Sequence, residues 1–337
     1  MPGVPVVANL VDPSRPPVPV LPADALQRLR AAGWSVQERL LPHRAGPEEL
    51  VAGVGLEASA ALVSWGCPEF TPAVHDRLPN LRFIGYCAGS VKHLVGPATF
   101  ARGVAVVSAA PVIASGVAEY CLAVALWSLR DLGATVQALA QGPQGWSAKR
   151  PASRSLWGRA VGIVSASSTG RGFIALLQPF GCDIAVYDPH LDEAGARALG
   201  ARRASLDEVC GQNLVSVHAP NLPATQGLLG AAQLARIPDG GLFINSSRAG
   251  VIDYAALTAE LATGRFQAVL DVFPREPLPA DSPLYGMPNV VLTPHTAGYS
   301  ADIYGRMGRE VVGDLLRWAA GEAPRMAVDA RRWDLLA

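Results

Sequence analysis

Cysteine is sparse in this chain. Its five cysteines stand at positions 67, 87, 121, 182 and 210, and no two form a CxxC pair. That scatter argues against a disulfide framework and against a cysteine-built zinc site, and it leaves reduced thiols in a cytoplasmic protein as the expected state. An excess of either charge is missing as well. Lys and Arg number 28 against 28 Asp and Glu, so no broad nucleic-acid or anionic-membrane surface is expected, although a local anion site is compatible with the balance. The opening Met1-Pro2-Gly3-Val4-Pro5 lacks the basic region of a secretory signal. The longest apolar stretch, Val117 to Leu129, contains Glu119 and reads as too short for a membrane span. Repeats and low-complexity segments are also lacking.

What is present is apolar and rhythmic. Half of the 337 residues are hydrophobic, enough to build two domains with substantial cores. Short β-branched runs alternate with helical patterns. Pro5–Leu10, Ala61–Trp65, Leu81–Tyr86 and Val104–Val107 read as strands, and Ala23–Ala32 as a helix ending at Gly33. A mostly apolar helix is predicted over Ala114–Arg130, and its all-round hydrophobicity predicts burial between layers. Gly142-Pro143-Gln144-Gly145-Trp146 breaks the pattern. A more hydrophobic series follows, with strands predicted at Ala160–Val164, Asp183–Tyr187, Leu214–Val217, Gly241–Ile244 and Val290–Leu292. Near-continuous apolar strands fit parallel sheets covered on both faces. Ala301–Ala320 reads as a last helix. The fold class expected is α/β: two Rossmann-like doubly wound domains, with the second series inserted into the first and the last helix returning to the N-terminal domain.

The strand at Val161–Val164 runs into Ser165-Ala166-Ser167-Ser168-Thr169-Gly170, and the next strand ends at Asp188. A dinucleotide site has this layout: a tight turn that brings a helix N-terminus to the pyrophosphate, and an acid that accepts from the ribose hydroxyls. Of the three glycines in GxGxxG only Gly170 is present. Ser167 places a side chain where the pyrophosphate approaches, either touching phosphate or narrowing the site. Without the glycines the segment also reads as a plain strand–helix turn. If the site is real, Asp188 selects NAD, because a carboxylate repels the extra phosphate of NADP.

Four further segments follow in order: Ser216-Val217-His218-Ala219-Pro220 with Thr225; Asn245-Ser246-Ser247-Arg248-Ala249-Gly250-Val251-Ile252-Asp253; Leu270-Asp271-Val272-Phe273-Pro274-Arg275-Glu276-Pro277-Leu278; and Leu292-Thr293-Pro294-His295-Thr296-Ala297-Gly298. In this order they resemble the D-isomer-specific 2-hydroxyacid dehydrogenases, a family that includes glyoxylate/hydroxypyruvate reductases, D-lactate dehydrogenases and phosphoglycerate dehydrogenase. The resemblance extends from about Val6 to about Arg317. It implies a substrate domain at 1–112 and 299–337, an NAD-binding domain at 113–298, a cleft between them, and a homodimer built on the NAD-binding domain and its long helix. A small keto or hydroxy acid is the implied substrate, with NAD (NADH) as cofactor and no resident metal.

Residue roles carry over on matching positions. Arg248 matches the arginine that fixes the substrate carboxylate and carbonyl, a task suited to a forked guanidinium. His295 matches the acid/base, and Glu276 the carboxylate that orients it. Ser168, Thr169, Gly170, Asp188, Pro220, Thr225, Ser246, Ser247, Asp271 and Gly298 match cofactor-lining positions, Asp271 near the nicotinamide carboxamide. His218 fits a cofactor-lining position or a core histidine equally well. The backbone of Ala88, Gly89, Ser90 and Val91 matches the loop that meets the substrate carboxylate. Glycine at 88 and 90 and Asp-Asn at 92–93 are more usual there. Lys92 and His93 therefore either serve a second anionic group or face solvent, and Trp65 either shapes specificity or packs. The altered Ser165–Gly170 loop keeps two other readings open: a dinucleotide-sensing scaffold with little catalysis, and a relative that no longer binds NAD.

Overall fold

The computed structural model describes residues 4–12, 19–42, 44–147 and 153–336. The start of the chain read above for charge, Met1-Pro2-Gly3, lies outside the described residues. Contacts divide the chain into two compact units, Met1–Ile113 with Tyr299–Ala337, and Ala114–Gly298.

The first unit holds a five-stranded parallel sheet of β1 (Val6–Asn9), β2 (Ser35–Glu38), β3 (Ala60–Val63), β4 (Phe83–Tyr86) and β5 (Ala105–Ser108), in the order β2-β1-β3-β4-β5. Alternate side chains feed two cores, one on each face. Phe83 enters the core with Val7, Leu62 and Val107, whereas Ile84 enters the core with Ala8, Val63 and Val106. The helix Ala301–Ala319 belongs to this unit, although it follows nearly 300 residues of chain. Ile303, Met307, Val311 and Leu315 recur every four residues and form its buried stripe. Gly85 lets that stripe approach β4, since a Cβ there would lie 2.6 Å from Val311 Cγ1.

The second unit holds a seven-stranded parallel sheet: β6 (Ala160–Val164), β7 (Asp183–Tyr187), β8 (Arg202–Arg203), β9 (Leu214–Val217), β10 (Leu242–Asn245), β11 (Gln267–Leu270) and β12 (Val290–Leu292), in the order β12-β11-β10-β9-β6-β7-β8. The chain starts at β6, winds outward through β7 and β8, and then returns to lay β9 on the other side of β6. The direction of winding reverses between β6 and β9. Open α/β sheets bind their ligands at the carboxyl ends of the strands beside such a reversal.

One sequence expectation needs correction. The apolar helix begins at Ala110 and runs 20 residues to Leu129, so by length and composition it is long and apolar enough to cross a membrane. Counting from Val117 missed its first two turns, where Pro111 sits in the first turn and its lack of an N–H costs no intrahelical bond. Half of the window is buried inside the protein. Ala118, Cys121, Ala125 and Leu129 form its inner stripe, packed with Val161, Ile163 and Phe173.

Candidate active site

Three strand ends of the second unit converge on one group of charged side chains. β10 ends at Asn245, which is fully buried. Its Oδ1 accepts from Ser247 N (3.1 Å) and Ser247 Oγ (2.9 Å), and its Nδ2 donates to Arg248 O (3.4 Å). This side-chain-made turn is the local competition with secondary structure that short amides favour, and it stops the strand just before Arg248. The Arg248 side chain is exposed, and its Nη1 donates to Ser247 O at 2.7 Å. Ser246 is buried, with its Oγ 3.1 Å from Cys121 Sγ on the long helix. Burial pushes that thiol up to about 12 and keeps it unreactive.

β11 leads into Asp271, which is 1% exposed. Asp271 accepts from Thr293 Oγ1 (2.5 Å) and Thr296 N (2.8 Å) on one oxygen and from Ala297 N (2.9 Å) on the other. It thereby clamps both sides of His295, and Gly298 follows the clamped segment directly. Tyr120 OH lies 2.6 Å from Thr293 Oγ1 and extends the clamp to the long helix. His295 itself sits at φ 55°, a left-handed conformation that few non-glycine residues adopt. Such backbone persists where the surroundings over-determine it, as at catalytic positions.

The imidazole so presented is paired. His295 Nδ1 lies 2.7 Å from Glu276 Oε2, and Glu276 Oε1 accepts from Phe273 N at 3.0 Å. Burial pushes the Glu276 carboxyl up. The hydrogen bonds from His295 and Phe273 N–H, with the charges of His295 and Arg248, outweigh that and hold it below its ordinary value. Glu276 is therefore an anion at neutral pH. Nε2 of His295 is the ring nitrogen left for a proton transfer.

In the loop after β6 each serine has an intramolecular task. Ser165 adopts φ 79°, the conformation for which a dinucleotide loop uses its first glycine. Its N–H donates to Tyr187 O at 2.7 Å. Ser167 is the N-cap of helix Ser168–Leu177, and its hydroxyl accepts from Gly170 N at 3.3 Å. Ser168 and Thr169 occupy the first helical positions, whose N–H groups have no intrahelical acceptor. Gly170 is required, because a Cβ there would lie 2.1 Å from Ser165 O. Asp188 caps the neighbouring strand end. Its Oδ2 accepts from Ala166 N (2.8 Å) and its Oδ1 from His190 N (2.8 Å).

His218, at the end of β9, is buried with both ring nitrogens lacking a hydrogen-bond partner among the described residues. It packs edge-on against Phe173, with ring centroids 5.7 Å apart, and burial lowers its pKa to about 3. It supports the Gly170 turn as a neutral core group. Beyond it, Thr225 Oγ1 accepts from Leu222 N at 2.9 Å and donates to Pro220 O, closing the loop after β9. The loops after β6 and β9 thus flank the winding reversal. A dinucleotide fits there: small residues at the turn, a helix N-terminus for phosphate, and an ionisable acid at Asp188 for ribose hydroxyls.

In the first unit, Ala88 and Val91 are buried, while Gly89 and Ser90 are half-buried. Ser108 Oγ donates toward Ala88 O (3.1 Å) and Gly89 O (2.5 Å), which ties this loop to the end of β5. Lys92 Nζ lies 4.9 Å over the Trp333 ring, and His93 Nε2 is 3.1 Å from Tyr86 OH, so both have protein partners. Trp65 stacks at 5.3 Å on Tyr304, which supports its packing reading. Sequence reasoning assigned no role to Asn245, Thr293 or Tyr120. Asn245 and Thr293 stand inside the motifs quoted above, but nothing in the order of residues shows that their side chains build turns.

Comparisons with known proteins agree with this geometry. Residues 122–297 match the model of the D-isomer specific 2-hydroxyacid dehydrogenase NAD binding domain. The chain is 32% identical over 309 residues to a D-3-phosphoglycerate dehydrogenase of Mycobacterium bovis, covering 90% of this chain and 57% of that one. It therefore spans little more than half the length of that relative. A glyoxylate reductase of Korarchaeum cryptofilum is 29% identical over 268 residues, covering 78% of this chain and 81% of that one. Among solved structures, a phosphoglycerate oxidoreductase from Rhizobium etli superposes with a TM-score of 0.79 at 26% identity, covering 96% and 98% of the two chains. The chain belongs to the D-isomer specific 2-hydroxyacid dehydrogenase family, and its second unit carries that family's NAD-binding domain.

Proposed function

We propose that the chain is an NAD-dependent oxidoreductase that interconverts a 2-keto acid and a 2-hydroxy acid. The observation that carries this reading is the His295–Glu276 pair at 2.7 Å, with Arg248 on the adjoining strand end. NADH, when bound, supplies the hydride that reaches the substrate's C2. Arg248 binds the substrate carboxylate and polarises the carbonyl. His295 Nε2 donates the proton that the developing alkoxide takes up, so the hydride and the proton together complete the reduction. In the reverse direction the same nitrogen accepts the proton. Glu276 holds the ring orientation and balances the imidazolium. Asp271 contributes by fixing the His295 loop, and any contact with the nicotinamide carboxamide adds to that task. Ser168, Thr169, Gly170, Asp188, Pro220, Thr225, Ser246, Ser247 and Gly298 line the cofactor, and the backbone of Ala88–Val91 meets the substrate carboxylate.

We also assign a homodimer and a cytoplasmic location. The helix Leu132–Ala140 buries none of its residues and exposes Leu132, Val136 and Leu139, with Trp127 and Trp146 exposed nearby in the chain. An apolar patch of this kind favours a partner surface. The free cysteines suit a reducing compartment. Light scattering should give twice the chain mass, and a Val136→Glu, Leu139→Glu variant should give the monomer; a monomeric parent overturns the dimer.

Fluorescence titration with NADH tests the cofactor assignment. Binding in the micromolar range or tighter, weakened at least tenfold in Asp188→Ala, is expected. Failure of the parent to bind would leave only the reading of a relative that no longer binds NAD.

A further inference from the structure

The first glycine position of the dinucleotide loop holds a serine, and its side chain has a definite task. Ser165 Oγ donates to Asp188 Oδ2 at 3.1 Å, alongside the 2.8 Å bond from Ala166 N to the same oxygen. The other oxygen of Asp188 takes the His190 N–H at 2.8 Å. Three donors therefore fix one carboxylate. The segment that supplies two of them is itself anchored: Ser165 N donates to Tyr187 O at 2.7 Å, and Arg171 Nε donates to Ala166 O at 2.8 Å. A glycine at 165 would offer the backbone turn without the side-chain donor.

We infer that Ser165 is a specificity-determining residue for the cofactor, one that locks Asp188 in place so that its charge bars the 2′-phosphate of NADP while the remaining lone pair of its Oδ1 still accepts a ribose hydroxyl. The inference rests on the proposed dinucleotide site and adds a residue to it. The lock matters because the surroundings are not uniformly acidic. A cavity of about 630 Å³ opens just past Asp188, and its lining is mixed in charge, with His190, Arg197 and Arg203 beside Asp192 and Glu193. Arg197 is paired with Glu193 at 3.8 Å. Arg203 has no ion-pair partner among the described residues. A carboxylate free to rotate away would leave a phosphate facing these cations. A fixed one keeps a negative charge between the ribose and the arginines.

The backbone at φ 79° complicates a single substitution, so two are needed. Ser165→Ala removes the hydroxyl and keeps a Cβ in the left-handed conformation. Ser165→Gly removes the hydroxyl and relieves the conformation. The test is fluorescence titration of the full chain and both variants with NADH and with NADPH. The parent should prefer NADH, and both variants should lower the NADH:NADPH affinity ratio by about tenfold, the scale of one hydrogen bond to a charged group, chiefly through tighter NADPH binding. A ratio unchanged in both variants, or changed only in Ser165→Gly, overturns the inference and leaves the dinucleotide site standing. A parent that binds both cofactors equally also overturns it. A parent that binds neither overturns the site and the inference together.

Discussion

At the scale of single residues, the chemistry depends on side chains held by their neighbours more than on their own identity. His295 is placed by Asp271, Thr293 and a left-handed backbone, and is oriented by Glu276. Replacing His295 with Asn should lower kcat by roughly 100- to 10,000-fold, the usual contribution of a positioned acid/base. NADH affinity should stay within about threefold, because the proposed task of the ring is proton transfer with the substrate; steady-state kinetics and a cofactor titration separate the two effects. His218 offers a stability test. Its folded pKa of about 3 lies below the ordinary 6.5, so the unfolded chain takes up a proton that the folded chain refuses. Stability from this group is complete above pH 6.5 and is lost as pH falls toward 3, with about 2 kcal/mol gone at pH 5. Urea unfolding at pH 7.5 and pH 5 should show His218→Leu losing about 2 kcal/mol less than the parent. An equal loss would mean that His218 is solvated or paired.

At the scale of elements, turns carry the information that strands do not. The strands with mostly apolar residues, β3, β4, β6, β7, β9 and β10, were readable because burial on both faces favours one residue class. β2 and β8 were not. Ser35–Glu38 has no fully buried residue, and Arg202–Arg203 is two arginines paired along the edge of the sheet, so neither offers an apolar pattern. β11 was hidden inside a motif read for its Asp271. Arg248, Glu276 and His295 could be singled out as candidates because each sits in a run of ordered neighbours. The Ser165–Asp188 bond was not legible, because it joins residues on different strands. The same loop supports a firm expectation for Gly170→Ala. A Cβ 2.1 Å from the Ser165 carbonyl cannot be accommodated without moving the backbone. This variant should lose more than about 2 kcal/mol in denaturant unfolding, in the range of severe packing errors, and it should lose NADH binding as well. The long helix is tested in the same way. Ala118 lies 3.1 Å from where a Gly172 side chain would begin, so Ala118→Leu should overpack that contact and destabilise by about 1–3 kcal/mol.

At the scale of the whole molecule, two doubly wound units come from a chain that leaves the first unit at Ile113 and re-enters it at Tyr299. The proposed acid/base pair, Arg248 and the proposed dinucleotide loop all belong to the second unit, and the Ala88–Val91 loop belongs to the first. The division follows from the physics of each segment. The second unit supplies strand ends at a winding reversal, where helix N-termini and carboxylates gather. The first supplies a buried loop whose backbone is tied down by Ser108. The most direct measurement is the loss of NADH absorbance when the purified full chain meets a panel of 2-keto acids, glyoxylate among them, beside the His295→Asn variant. Turnover with at least one acid, abolished or cut at least 100-fold in the variant while NADH still binds, is the expected result. NADH bound tightly by the parent with no oxidation across the panel would contradict the assignment and leave a dinucleotide-binding protein that does not use its acid/base pair.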